Sequence, residues 1–448
     1  MHAATINLGE LFIPLWRGQF QCAGSDRVTN WDWAVLKDAE VWKEHGRIIG
    51  DCRPYIPGSF DRYPHNIAEK VSSGYKAKEW QGYFYGLAPA LLHNILPFKY
   101  WQNFCHLVYA MRIVHQRRVS ASQLQEAYFH VQTFHLEFEE LYVQRNPDCL
   151  HFVRPCLHAL LHTPQETVRM GTITTYSTWT IERMVGDLGG EIRLHSDPYA
   201  NLSERGLLRC QTNALRASFP ELEKKDKGPP AYSEDLGSGY HLLRARDEYA
   251  QALAGEEGAI IKRFIEDEEE KCGNAIPDNW AGPRVRRWAR LQLPSGQIAR
   301  SAWKEDRYAQ TAIRRARFLS LPVSGSDKPQ IEFAEVKFYF NARINDVRRP
   351  LALISLLSRP DADLFEKSFW TVWSVTLQNN ALRVIDAKCV TSVVAVIPHD
   401  HHCREDRSDK RFFIWEYTGL EMDLLSDATQ IRDEDRDALD QDDEEVNE

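Results

Sequence analysis

The sequence predicts an α+β protein: a mainly helical N-terminal region, then a small antiparallel β-barrel module, then a disordered acidic tail. Three observations carry that prediction. Apolar residues recur at helical spacing before residue 219, as in Leu124, Tyr128, Val131, Phe134, Phe138 and Leu141. From Ile331 onward, short β-branched and aromatic runs alternate with turns roughly every 10–15 residues. Between Glu421 and Glu448 there are 13 acidic and 2 basic residues, so the formal net charge of −9 becomes +2 without that segment. At roughly 150 residues per domain, a chain of 448 residues suggests two or three domains. The divisions fall at 1–219 (helical), 220–282 (linker with a helix), 283–420 (basic stretch and barrel) and 421–448 (tail).

The first helix is announced by Leu8, Leu11, Phe12, Leu15 and Trp16. A second follows Trp31-Asp32-Trp33 to about Gly46, with Trp33, Leu36 and Val41 on its apolar side. Pro54, Pro57 and Pro64 make 50–74 a loop with at most one short helix. Ala77 to Leu96 reads as helix, interrupted near Pro89 and closed by Pro97. Phe98 to Arg118 follows, with Phe104, Leu107, Val108, Met111 and Val114 on one face. Ser120 and Gln123 form a capping box that starts a further helix, closed by Pro147. Thr172 to Thr180 is polar and β-branched, a loop or short strand, and a helix is expected from Thr178 to about Arg193. Another spans Leu202 to Leu215, and residues 241–270 also read as helical. Strands are expected at 333–340, 351–357, 369–377, 382–386, 390–397 and 411–417.

Composition excludes several classes. A hydrophobic fraction of 43% with 13 Trp, 17 Tyr and 20 Phe supplies real cores, so the chain is not intrinsically disordered. Nine cysteines without a CxxC pair argue against a disulfide framework or zinc ribbon. There is no secretory leader and no apolar run near the ~20 residues that span a bilayer, so a soluble, unsecreted protein is expected. Asp400-His401-His402-Cys403 spells the tetrapeptide of protein palmitoyltransferases. It comes without the cysteine-rich domain and membrane spans those enzymes need. No phosphate-cradling glycine loop, nucleophile elbow or dinucleotide fingerprint occurs.

Two constellations could carry chemistry. His158 and His162, four apart on one helix face, could join Glu182 in a divalent-metal shell, or could be a hydrogen-bonded histidine pair. From Arg284 to Arg317 there are ten basic and two acidic residues, interleaved with aromatics. The nucleic-acid-binding candidates are Arg284, Arg286, Arg287, Trp288, Arg290, Arg300, Lys304, Arg314, Arg315 and Arg317: guanidinium and ammonium groups for the phosphate backbone, an indole face for stacking. The alternative is a solvated face that balances the acidic tail.

The run from His158 to Leu188 resembles a segment of CACTA-type (En/Spm-like) transposases. That segment reads His, three residues, His, then Phe-Glu-Arg followed by Gly and Leu. Here the match falls on His158, His162, Pro164, Glu166, Gly171, Glu182, Arg183, Gly186 and Leu188, with Ile181 in place of the Phe. NLGELFIPLWRG, SSGYKAKEW, LHFVRPCLH, DPYANLSERGL and WARLQLPSGQIARSAWKE are similar to C-terminal halves of transposase-like proteins abundant in mushroom-forming fungi. The likeness extends to about residue 420. It implies part of an RNase H-like core with a helical insertion, DNA as partner and a nuclear (or cytoplasmic) location. Active members hold two Mg²⁺ ions with two Asp and a later Glu, and Glu182 fits the third acid. In related sequences an Asp precedes a Met-His pair, whereas here Met1-His2 opens the chain. The resemblance thus implies a C-terminal part that holds no Mg²⁺ and cannot transfer strands alone. The barrel pattern is also reminiscent of chromatin-binding barrels of the BAH type, which gives a DNA- or chromatin-binding role as the alternative.

Overall fold

The computed structural model describes residues 2–70, 74–192, 196–222, 231–274, 276, 280–309, 313–322, 331–399 and 410–419. The expected acidic tail and the Asp400–Cys403 tetrapeptide lie outside the described residues. The helical region is built around one central helix, Ile6–Trp16. Leu8, Leu11, Phe12, Leu15 and Trp16 are all fully buried. The Phe12 ring lies within 6.3 Å of Trp16, Phe84, Phe104, Phe134 and Phe138, mostly tilted or edge-on, the geometry aromatic quadrupoles favour.

The packing partners follow in chain order. Helix Ala39–Asp51 is N-capped by the Asp38 carboxylate, which accepts from the Glu40 and Val41 amides. It presents Trp42 and His45 to the core, and the Val41 expected there is 38% exposed. Helix Ala77–Gly82 continues through a π-helical segment, Tyr83–Leu87, into Ala88–Leu91. Helix Phe98–Val114 stops one turn earlier than expected. Helix Ala121–Phe138 starts at the predicted capping box: Ser120 Oγ accepts from the Gln123 amide at 3.2 Å and Gln123 Oε1 accepts from the Ser120 amide at 2.9 Å. Beyond the short helices Pro155–Leu161 and Thr163–Met170, the loop expected at 172–180 contains one helical turn, Ile173–Tyr176. Helices Trp179–Glu191 and Pro198–Ser218 then form an arm whose second helix buries no residue.

The strands, in order, are β1 (Glu234–Gly237), β2 (Tyr240–Leu242), β3 (Gln251–Ala252), β4 (Arg284–Val285), β5 (Arg290–Gln292), β6 (Ile298–Arg300), β7 (Phe318–Pro322), β8 (Ile331–Ile344), β9 (Val347–Leu357), β10 (Trp373–Val375), β11 (Leu377–Asp386), β12 (Ser392–Pro398) and β13 (Phe412–Trp415). Seven of them pair antiparallel in the order β10-β13-β12-β7-β8-β9-β11. Its two edge strands are adjacent in sequence, with Thr376 between them, so the sheet curls into a nearly closed barrel. A second sheet runs β1-β2-β5-β6. The stretch expected as linker therefore supplies strands, and the helix expected from residue 241 begins at Gly255 (Gly255–Lys271). Backbone partners explain the change: the Leu243 amide donates to the Arg290 carbonyl at 3.0 Å and the Ala289 amide to the Ala245 carbonyl at 2.7 Å. Sheet pairing outweighs local helical pattern there.

Helices and barrel share one core. Val372, Ala395, Ile397, Phe413 and Trp415 belong to the cluster built on the Ile6–Trp16 helix. The Trp415 indole lies against Gly82 and Gly86; a Cβ at Gly86 would collide with it, and one at Gly82 would meet it tightly at 3.1 Å. Arg112, buried, donates to the Tyr85 and Thr371 carbonyls, both at 2.8 Å. His399 Nε2 lies 3.0 Å from the Ala90 carbonyl. The described cysteines are free thiols. Among the described residues no helix is long and apolar enough to cross a membrane.

Candidate nucleic-acid interface

Glu182 sits in the first turn of the Trp179–Glu191 helix, where the positive end of the helix dipole favours a carboxylate. Its Oε1 lies 3.1 Å from His2 Nε2, and both side chains remain about half exposed, at 47% and 59%. The two line a cleft of about 1260 Å³. Its other walls come from the Asp61-Arg62 loop, the start of the Ala77–Gly82 helix, the turn after Val114, the Ile173–Tyr176 turn and the segment after β13.

Charge in this cleft is lopsided. Arg62, Lys76, Lys78, Arg117 and Arg183 line it, against the carboxylates Asp61 and Glu182. Burial pushes the Lys78 ammonium below the usual lysine range; Asp61, 4.0 Å away, opposes that and Arg183 adds to it. Asp61 Oδ2 accepts from the Tyr417 hydroxyl at 2.6 Å, and Lys78 Nζ lies 5.6 Å from the Tyr417 ring centroid. Burial pushes His115, at the cleft floor, down to about 4, so it stays neutral at physiological pH. The Arg117 and Arg183 guanidinium groups have no hydrogen bond or ion pair among the described residues. Their cations are open to a polyanion.

Five cations against two carboxylates give the cleft a positive balance, which favours an anion over a metal cation electrostatically. Among the described residues no three His, Cys, Asp or Glu side chains gather to hold an ion. The residues present do not fit a two-Mg²⁺ centre: Mg²⁺ wants carboxylate oxygens, and Glu182 has a histidine partner and cationic neighbours. His158 and His162 pair with each other, Nε2 to Nε2 at 3.1 Å with rings 82° apart. The structure therefore gives the hydrogen-bonded pair, with Glu182 turned to His2 instead.

The basic stretch is divided. Arg287 pairs with Asp247 at 2.9 Å and lies over the Trp303 ring. Arg314 donates to the Ile56, Pro57 and Asp61 carbonyls at 2.9, 2.6 and 3.0 Å, strapping barrel to helices. Arg315 lies 4.7 Å over Tyr55. Arg317 is held by Glu305, Asp306 and Glu335 at 2.9, 2.6 and 3.1 Å. The expectation that Trp288 stacks on a base is corrected: it is 2% exposed, packs in the barrel core and exchanges backbone hydrogen bonds with Tyr339. Arg284, Arg286, Arg290, Arg300 and Lys304 keep exposed surface.

The cleft cations Arg62, Lys76, Lys78 and Arg117 were missed by sequence reasoning, because 62 to 183 is too wide a spread for any local run to reveal. The lone signal was Lys76 and Lys78 within SSGYKAKEW. No protein-family model matches the chain. Neither a curated protein nor a solved structure matches it significantly.

Proposed function

We propose that this chain is a transposon-derived nuclear protein, corresponding to the C-terminal part of a DDE-type DNA transposase, that binds the DNA backbone in the Glu182 cleft and does not transfer strands by itself. The observation that carries this is the convergence of five Lys and Arg side chains around the helix bearing the transposase-like motif. The His2–Glu182 contact supports it further. In the related sequences an Asp, the best candidate for the second metal ligand, precedes the Met-His pair to which His2 corresponds. A role confined to the barrel and basic stretch, including a chromatin-reading one, has less support because Arg287, Arg314, Arg315 and Arg317 are committed within the fold.

Fluorescence anisotropy of a labelled duplex against salt tests the proposal. Non-specific affinity in the range of roughly 10⁻⁴–10⁻⁶ M at physiological salt is expected, weakening steeply as salt rises. Lys78→Ala/Arg117→Ala/Arg183→Ala should lower the slope of log K against log salt by about 2–3. Glu182→Gln should leave affinity unchanged or raise it, since it removes a negative charge. No binding at low salt would overturn the proposal, as would Mg²⁺-dependent DNA nicking by the wild type that Glu182→Gln abolishes.

A further inference from the structure

A second cationic pocket, sharing no lining residue with the cleft, lies at the corner of β4, β8 and β9. Its volume is about 320 Å³, and Arg284, Arg286, Arg343 and Arg348 line it above the buried Trp288. No carboxylate is among its lining residues. Arg343 and Arg348 are direct cross-strand partners on the β8–β9 hairpin, which turns at Asn345-Asp346 with φ of +48° and +58°. Cross-strand partners project to the same face, so two like charges stand opposite one another. That arrangement destabilises a hairpin unless an anion screens it.

The fold screens half of it. Glu234 pairs with Arg348 at 2.8 Å and accepts from Asn341 Nδ2 at 3.2 Å. Arg284 donates to the Ala250 carbonyl at 3.2 Å, which fixes its position. The Arg286 and Arg343 guanidinium groups have no hydrogen bond or ion pair among the described residues, and both retain solvent access. Four guanidinium forks converging on one space match the oxygens of a phosphate better than a point charge does. The volume sits at the low end of the 300–1,000 Å³ usual for small-molecule sites, enough for a phosphate and its sugar.

We infer that this corner of the barrel is a second anion site, which grips a phosphodiester of a nucleic-acid backbone between Arg286 and Arg343. The identity of the polyanion rests on the DNA-binding reading of the chain; the site itself rests on the pocket. Arg286 and Arg343 hold one phosphate from two strands, Arg284 and Arg348 flank it, and the bound anion relieves the cross-strand repulsion.

The full chain, a short fluorescein-labelled duplex and two variants test this. Arg286→Ala/Arg343→Ala should weaken binding at low salt roughly tenfold and lower the salt slope by about 1, the one lost phosphate contact removing ~0.9. Its melting temperature without DNA should equal or exceed that of the wild type, because a repulsion has been removed; a merely structural role would lower it. Arg286→Lys/Arg343→Lys, which keeps charge but loses the forks, should fall between. Affinity and slope both unchanged in the alanine variant would overturn the inference. If the cleft variant binds like the wild type while the pocket variant is weakened, the cleft reading fails and the pocket stands; the reverse result sinks the pocket and keeps the cleft. A polyglutamate peptide binding through the same two arginines as tightly as the duplex would overturn the phosphodiester assignment.

Discussion

The Ile6–Trp16 helix buries apolar side chains on nearly every face, whereas the Pro198–Ser218 helix, almost twice as long, buries none. Leu207, Leu208 and Leu215 stand 61%, 52% and 51% exposed on the second, while every Leu of the first is fully buried. The first is stabilised by what surrounds it, at about 1.5–3 kcal/mol per buried large side chain. The second has its own hydrogen bonds, an Asp197 N-cap and the pairing of Arg205 and Arg209 with Glu191 on the preceding helix. Packing, and not the presence of apolar residues, separates a core helix from an arm.

The sharpest way to break this comparison is Phe12→Ala, which should cost about 3–5 kcal/mol in urea unfolding. Leu207→Ala should stay within about 0.5 kcal/mol. Similar losses at the two positions would mean that the arm is packed after all.

Acid comes next. Burial pushes His106 down to about 4; burial, with the charge of His106, pushes His130 down to about 3. The two rings meet Nδ1 to Nδ1 at 2.7 Å under Phe369. In the unfolded chain both would protonate near pH ~6.5. The unfolded state therefore binds more protons below that pH. The stability contributed by this pair is full above pH ~6.5 and is lost as pH falls toward the folded-state values. A fall on the order of 3 kcal/mol for each ring by pH ~4 is expected, with a flatter profile in His106→Asn/His130→Asn. An identical profile in that variant would assign the loss to other groups.

Glycines give the finest comparison. Gly86→Ala should cost about 1–3 kcal/mol by overpacking against Trp415, with part of the loss recovered in Gly86→Ala/Trp415→Phe. Gly186 and Gly206, on the arm, have open space at the Cβ position, so alanine there should gain roughly 0.5–1 kcal/mol through helix propensity. A loss at Gly186 and Gly206 would show that a partner covers the arm.

Local signals in the sequence were read well. The Ser120–Gln123 box marks a helix start within one turn of chain, and the six β-rich runs became β8 to β13 because alternation is a short-range pattern. β7 was missed, since FLSLP is short and follows the basic stretch. β1 and β2 were missed for a different reason: EDLG and YHL carry no alternation and become strands through β5. The site was half legible. The motif located Glu182, but neither Lys78 nor Arg117 could be assigned to it before the chain was folded. Trp288 looked available for stacking because its neighbours are arginines; only its bridge to Tyr339 reveals a core position.

Trp415 also bears on the order in which this chain can fold. The indole fills the notch at Gly86, 329 residues earlier, and Thr371 and His399 reach back 259 and 309 residues to Arg112 and Ala90. On the ribosome the helices emerge long before the strand that completes their core. Until β13 arrives, a tryptophan-sized apolar notch stays open to water. Contacts of such separation slow folding and lengthen exposure of the unfinished core. The helical half, despite its local hydrogen bonds, should reach its final stability late, together with the barrel.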